Sequence, residues 1–371
     1  MAEVKDTATE LPWIRYDQNP YGVPLLDLRP ITFQLGSEIE DAQLKNLDSY
    51  SMEDGASFSG LSVETENGRD RFVDCELTYQ TAGKLYPGSL FVPQSPEDRW
   101  AIFFDGAFIY FIRSWSKELV TKATVQVEEN EIKLTQIEGA ILDDGFETEN
   151  QTIALVNFIM CSYVLNETVP VPLSNELESE PNRAAVWAFS LFGHHAKVGV
   201  FNEDALFGAK GMIRSTTAYH IAIANNDVET VKLILNQNLV EKDLLAQDGF
   251  TPVHWALYTD NFEMMKALHE QGVNINARSL SQTTPLMDAV ELKSAKGIEM
   301  LLSLEADVHA LDAQGFSALH RAAAMGQTDV VATLLMQGAD PFLASVKGFT
   351  ALDLAKERNH EAIIALFTEK D

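Results

Sequence analysis

Thr251-Pro252-Val253-His254 decides how this chain is read, because four other segments line up with it: Thr217-Ala218-Tyr219-His220, Thr284-Pro285-Leu286-Met287, Ser317-Ala318-Leu319-His320 and Thr350-Ala351-Leu352-Asp353. They start at residues 217, 251, 284, 317 and 350, so the spacings are 34, 33, 33 and 33. A fixed period of this size marks a solenoid of small units that bury their apolar faces on one another. After Thr251, Val253, Ala256 and Leu257 recur at helical spacing, and Phe262, Met265 and Leu268 do so again before Gly272. Two short helices and a turn therefore fill one period. Pro252 suits a first helical position, where its missing N–H would have no partner anyway. Gly272 and Gly338 stand where a helix end needs a left-handed residue, and Asp248-Gly249 and Gln314-Gly315 supply the bend between units.

The runs Gly249-Phe250-Thr251-Pro252-Val253-His254-Trp255-Ala256, Gly315-Phe316-Ser317-Ala318-Leu319-His320-Arg321-Ala322 and Gly338-Ala339-Asp340-Pro341 give residues 213–371 their resemblance to ankyrin-repeat arrays. About five units are expected, and the outer ones look like caps. The first has Ala218 for the Pro, and the last stops soon after Phe367. The third departs twice, with Met287 in place of the His and Glu305 in place of the closing Gly. A left-handed Glu305 would cost about 1 kcal/mol relative to Gly. The resemblance implies that His220, His254 and His320 bridge neighbouring units by hydrogen bonds. It also implies that partner proteins touch the hairpin tips and the exposed side of each first helix. Mapped here, the tips carry Phe250, Phe316 and Phe349, and the helices add Trp255, Tyr258, Thr259, Glu291, Leu292, Met325, Glu357 and Arg358. Aromatics, Met and Arg dominate interface energetics. The bland alternative is that the phenylalanines pack on one another and stiffen the fingers.

A chain of 371 residues with 46% hydrophobic content has room for a second core. We divide it into an α+β domain over 1–205, a linker over 206–212 and the array over 213–371. The net charge of −28 comes from 27 Lys and Arg against 55 Asp and Glu. Residues 1–210 hold 15 cations and 34 carboxylates, and residues 211–371 hold 12 and 21. Such a balance repels phosphate backbones and anionic lipid, so neither nucleic acid nor a membrane surface is expected as a partner. A protein partner, basic in character, fits better, although solubility alone also accounts for the charge. Cys75 and Cys161 have no redox or metal-ligand spacing and read as core residues of a reducing compartment. Met1 to Asp6 has no signal-peptide core, and the apolar run from Thr152 to Leu165 is too short to span a bilayer. A cytoplasmic protein is expected.

In the N-terminal half, Asn19-Pro20-Tyr21-Gly22-Val23-Pro24 turns into a short strand at Leu25 to Leu28, and residues 36–68 have loop composition. Val73, Cys75, Leu77 and Tyr79 alternate with polar residues, as a half-buried strand requires. Asp105-Gly106 between two apolar runs predicts a hairpin over 100–115, and residues 119–127 and 132–137 predict another around Glu128 to Glu131. An antiparallel sheet of at least five strands follows. Residues 148–165 form a helix apolar enough to be buried on it, and Arg183 to Phe192 form a second.

Candidate chemistry in this half centres on Arg113, Ser114 and Trp115. A guanidinium beside an indole at a sheet end could clamp an anionic ligand. The structural alternative is that Trp115 fills core and Arg113 meets one of the many carboxylates. Residues 19–30 together with 113–115 resemble uncharacterised bacterial modules, which carries over no activity. Arg113 and Ser114 with Glu129 and Glu131 could form an ADP-ribosyltransferase-like set, but Glu-Glu-Asn-Glu is ordinary hairpin-tip composition. His194-His195 reads as a pair favoured at a helix C-terminus, and no metal or cofactor is expected. Phosphate-loop, nucleophile-elbow and zincin motifs are absent from the sequence. The expected function is protein–protein interaction through the array. The alternatives are an enzyme or ligand-binding N-terminal domain targeted by the array, or an acidic immunity-type inhibitor of a basic toxin.

Overall fold

The computed structural model describes residues 11–31, 59–61, 63, 71–142 and 146–368. It divides into two units, Met1–Ser215 and Thr216–Asp371. The loop expected over 36–68 falls outside the described residues, apart from 59–61 and 63.

The first unit is built on alternation. In β3 (Phe72–Gln80), Val73, Cys75, Leu77 and Tyr79 are buried and their neighbours exposed. The other strands of its sheet are β4 (Gly88–Phe91), β5 (Trp100–Phe104), β6 (Phe108–Arg113), β7 (Leu119–Val127) and β8 (Glu131–Gly139). They form a six-stranded sheet in the order β3-β8-β7-β6-β5-β4, antiparallel throughout. The β5–β6 hairpin pairs Phe104 with Ile109 around the Asp105-Gly106 turn. Asp105 Oδ1 fixes that turn by accepting from the backbone N–H of Ala107 and Phe108. All of β5 is buried. Trp100, Ile102 and Phe104 face the main core, whereas Ala101 and Phe103 meet Tyr110 and Ile112 on the other face. This two-sided burial explains why β5 reads as an unbroken apolar run.

The predicted buried helix is α1 (Glu149–Ile159), capped by Thr148 and continued by a π turn over Met160–Val164. It lies against β3, where Tyr79 donates a buried hydrogen bond of 2.9 Å to Asn157 Oδ1. The second helix, α2, spans Pro181–Phe192. A second sheet was not anticipated. It runs in the order β1 (Trp13–Ile14), β2 (Leu25–Asp27), β10 (Val198–Val200), β9 (Val171–Pro172), with the last pair parallel. The segment read as a linker is tied into this unit: the Phe207 carbonyl accepts from Asn157 Nδ2, and Glu167 Oε1 accepts from the Lys210 and Gly211 amides. Ile213, read as the start of the array, is buried in this unit beside Thr81.

The second unit is helical. Its described helices fall into pairs: α3 (Ala218–Ala224) with α4 (Val228–Asn236), α5 (Pro252–Tyr258) with α6 (Phe262–Glu270), α7 (Pro285–Glu291) with α8 (Ala295–Ser303), α9 (Ala318–Ala324) with α10 (Thr328–Met336), and α11 (Ala351–Glu357) with α12 (Glu361–Thr368). The repeating Thr or Ser is the helix N-cap, and Thr251 and Ser317 accept from the His254 and His320 amides three residues on. Successive hairpins are joined where Leu280 N–H donates to Gly249 O and Val346 N–H to Gln314 O. Gly272 and Gly338 are left-handed as expected, and Glu305 is forced into the same region at φ 63°.

Candidate functional site

On the helical unit, the first helices carry a row of exposed apolar ends. Tyr258, Leu292 and Met325, at the C-terminal ends of α5, α7 and α9, are 44%, 47% and 38% exposed. A fixed polar network lies beside them. Tyr258 donates to the buried Asp288 Oδ2 at 2.9 Å. Arg321 reaches Asp312 Oδ2 at 2.7 Å with one nitrogen and Glu291 with another. Trp255 Nε1 points at Asp248 Oδ1 from 3.4 Å, and burial pushes the Asp248 carboxyl above its usual range. Burial, reinforced by the Asp288 charge, likewise raises the Tyr258 hydroxyl. Thr259 is half-buried and turned inward, donating to Trp255 O. Glu357 and Arg358 are exposed at the end of α11.

The three finger phenylalanines are not equivalent. Phe250 is half-buried, with its ring 4.9 Å from Tyr258 and 5.6 Å from His254. Phe316 is half-buried against His320, also at 5.6 Å. Phe349 is 43% exposed. The motif histidines differ too. His220 Nδ1 accepts from Thr217 N–H at 3.2 Å and its Nε2 donates to Leu244 O at 3.0 Å, and His320 repeats this with Ser317 and Phe349. In His254 the Nδ1 meets Thr251 Oγ1 at 2.7 Å, but Nε2 lies 3.6 Å from Asp288 Oδ2, beyond hydrogen-bond length. Burial pushes His220 and His254 down to about 4.

In the first unit, Arg113 and Trp115 do come together, with a second arginine that sequence reasoning missed. The Arg113 guanidinium lies 4.0 Å over the Trp100 ring and 5.4 Å from Trp115, and donates to Leu191 O at 3.1 Å. Burial, with the Arg99 charge acting the same way, pushes Arg113 down to about 10. Arg99 sits 5.3 Å from the same Trp115 ring and 5.4 Å from Phe189. Its Nε is buried without a hydrogen-bond partner among the described residues. The expected core filler is corrected: Trp100 is buried and Trp115 is 47% exposed. Ser114 is buried, with its amide donating to Arg99 O. Glu129 and Glu131 follow the far end of β7 from Arg113, roughly 30 Å away at about 3.3 Å per strand residue. They cannot share a site with it, and Glu131 instead pairs with Lys133 at 3.1 Å.

His194 and His195 form a tight turn after α2. There they meet Asp98, with His195 Nε2 3.1 Å and His194 Nε2 3.4 Å from Asp98 Oδ1. Burial opposes ionisation of Asp98, but the His195 contact and the Gln94 amide hold its carboxyl below the usual range. Among the described residues no helix is long and apolar enough to cross a membrane.

Comparison with known proteins matches the helical unit. A family model described as ankyrin repeats in three copies matches residues 219–312 and 286–371. A Xenopus laevis neurogenic locus notch homolog protein 1 is 34% identical over 142 residues, which are 38% of this chain and 6% of that protein. A Mus musculus B-cell lymphoma 3 protein homolog is 32% identical over 146 residues, covering 38% of this chain and 33% of the relative. The Drosophila melanogaster tyrosine-protein kinase Shark is 30% identical over 149 residues, 40% of this chain and 16% of the kinase. The chain thus spans a third or less of the length of these relatives.

Proposed function

The C-terminal region of this chain is built of ankyrin repeats, and from that premise we propose that the protein is a cytoplasmic interaction module whose five helix pairs form a solenoid and bind a partner protein through their first helices. One observation carries the reading. Tyr258, Leu292 and Met325 are exposed at the C-terminal ends of the first helices in three consecutive units, Leu292 and Met325 eight residues after their N-caps and Tyr258 seven after its own, and solubility alone does not call for large apolar groups at successive helix ends. The Tyr258–Asp288 and Glu291–Arg321–Asp312 contacts hold the polar groups beside them in one geometry, so a partner would meet a preorganised face. The fingers extend it at Phe349, because Phe250 and Phe316 pack against rings of their own units.

The test uses the full chain with a photo-crosslinking residue at Leu292, against lysate from the source cells. A protein crosslinked there, and lost when Tyr258→Ala and Met325→Glu are introduced with helical content intact, supports the proposal. Equal crosslinking by the substituted chain would refute it.

A ligand-binding first unit is the second reading, favoured by the buried unpaired Arg99 Nε beside Arg113 and Trp115. Calorimetric titration with inorganic phosphate, repeated on Arg99→Ala, decides it. Heat lost with the substitution supports an anion site, and no heat from the parent chain removes the reading.

A further inference from the structure

We propose that Asp98, His194 and His195 hold one divalent first-row metal ion of the zinc class, through Asp98 Oδ1 and the two imidazole Nε2 atoms. One ligand atom from each of the three residues lies within 4.8 Å of the others. Two of the edges are 3.1 Å and 3.4 Å. For zinc bonds near 2.0–2.1 Å, a tetrahedral site has ligand–ligand edges of roughly 3.4 Å, so the observed edges need only small adjustment.

The local chemistry prepares each donor. His195 Nδ1 lies 3.0 Å from Ser162 O, and a carbonyl can only accept, so Nδ1 carries the proton. Nε2 is then the atom left to face Asp98, and a ring fixed by a carbonyl on its other nitrogen is the usual support of a metal-bound histidine. The second Asp98 oxygen is already engaged, accepting from Gln94 N at 2.7 Å, Ser95 N at 3.0 Å and Ser95 Oγ at 3.3 Å. That leaves Oδ1 to serve both imidazoles. The Tyr163 ring stacks on His195 at 3.8 Å and limits its rotation.

The backbone brings these groups together by an approach that only glycine allows. A Cβ on Gly193, which sits at φ +52°, would lie 1.7 Å from Glu97 O. The turn carrying the two histidines therefore abuts the loop carrying Asp98, main chain against main chain. The Asp98 and His195 side chains are 5% and 8% exposed, whereas His194 is 45% exposed. An ion could enter past His194, and a position on that side would remain for water. Two imidazoles and a carboxylate are a donor set suited to zinc and its first-row neighbours. The competing arrangement is a proton shared between His195 and Asp98, with His194 a bystander.

The experiment separates the two. The full chain, stripped with chelator, is titrated with Zn2+ by calorimetry and with Co2+ by visible absorption. One ion per chain is expected, with Co2+ bands of low coordination number. His194→Ala should weaken Zn2+ binding by more than the roughly 10–100-fold that loss of an outer-shell partner costs. Because His194 is half-exposed, this variant should keep its fold, and circular dichroism checks that. Asp98→Asn should lose binding as well. The other six histidines all lie beyond residue 215, so a site elsewhere would leave His194→Ala binding as the parent does. That result, or absence of stoichiometric uptake by the parent, overturns the proposal.

Discussion

Acidification should loosen the helical unit well above the pH at which carboxylates titrate, and the motif histidines set the size of the effect. In His220, Nδ1 accepts from a backbone N–H and Nε2 donates to a carbonyl, so the folded ring is neutral and a second proton would break the Thr217 contact. Burial accordingly takes His220 and His254 from an ordinary 6.5 to about 4. The unfolded chain then binds these protons at higher pH than the folded one. Stability is complete above about 6.5 and is lost as pH falls from 6.5 toward 4. At pH 5 each ring contributes a loss of about 2 kcal/mol, and the two together about 4 kcal/mol, a large share of an ordinary domain's stability. His320 is lowered as well, by burial, and adds in the same direction. Asp248, raised by burial, acts oppositely. Urea unfolding followed by helical circular dichroism, at steps from pH 7.5 to 5, gives the slope of stability with pH. Near pH 5.3 each ring should contribute roughly 1.2 kcal/mol per pH unit, and His254→Gln should remove one such share. A slope unchanged by that substitution, or no slope in the parent, would show that these rings are not held neutral by the fold.

Three further outcomes follow from the backbone and the buried arginine. Glu305→Gly should stabilise the helical unit by about 1 kcal/mol, because φ is 63° at that position; urea midpoints check it. Gly193→Ala should destabilise the first unit by about 2–4 kcal/mol, combining overpacking against Glu97 with left-handed strain, visible as a lowered tryptophan-fluorescence melting temperature. Arg113→Met keeps apolar bulk over Trp100 but leaves the Ile141 carbonyl short of a donor. A loss of about 1–3 kcal/mol is expected in the same melt, and an unchanged melt would free Arg113 from its structural role.

What the sequence disclosed depended on how local the determining contacts are. The helical unit was legible down to its caps, because Thr251, Ser317 and Thr350 each accept from the amide three positions on and the pattern recurs, although Thr284 makes no such contact. The β5–β6 hairpin was legible for the same reason, through Asp105-Gly106. The second sheet was not, since strands of two and three residues such as Val171–Pro172 and Val198–Val200 are too short for any periodicity. Nor was the Asp98 cluster, whose histidines lie 97 residues from the aspartate in the case of His195. Trp100 and Trp115 have the same composition signal, but Trp100 lies in β5 and is buried, whereas Trp115 falls in the turn after β6 and is exposed. Among the motif residues, the unequal histidines could not be read either: whether Nε2 finds a carbonyl depends on the next unit.

The charge and the apolar row of the helical unit have different consequences for the proposed interaction. The polar contacts beside Tyr258, Leu292 and Met325 involve Asp248, Asp288, Glu291 and Asp312 with Arg321. Arg321 is already engaged by Glu291 and Asp312, so the face presents excess negative charge around an apolar centre. Exposed charge acts over about a Debye length and mainly sets encounter rate and choice of partner. Burial of the apolar centre acts after contact and mainly sets how long the complex lasts. Acidity alone would give a face that attracts many basic proteins and keeps few. The apolar ends of successive first helices are what would convert that attraction into retention of one, which is why the proposed function rests on them rather than on the net charge.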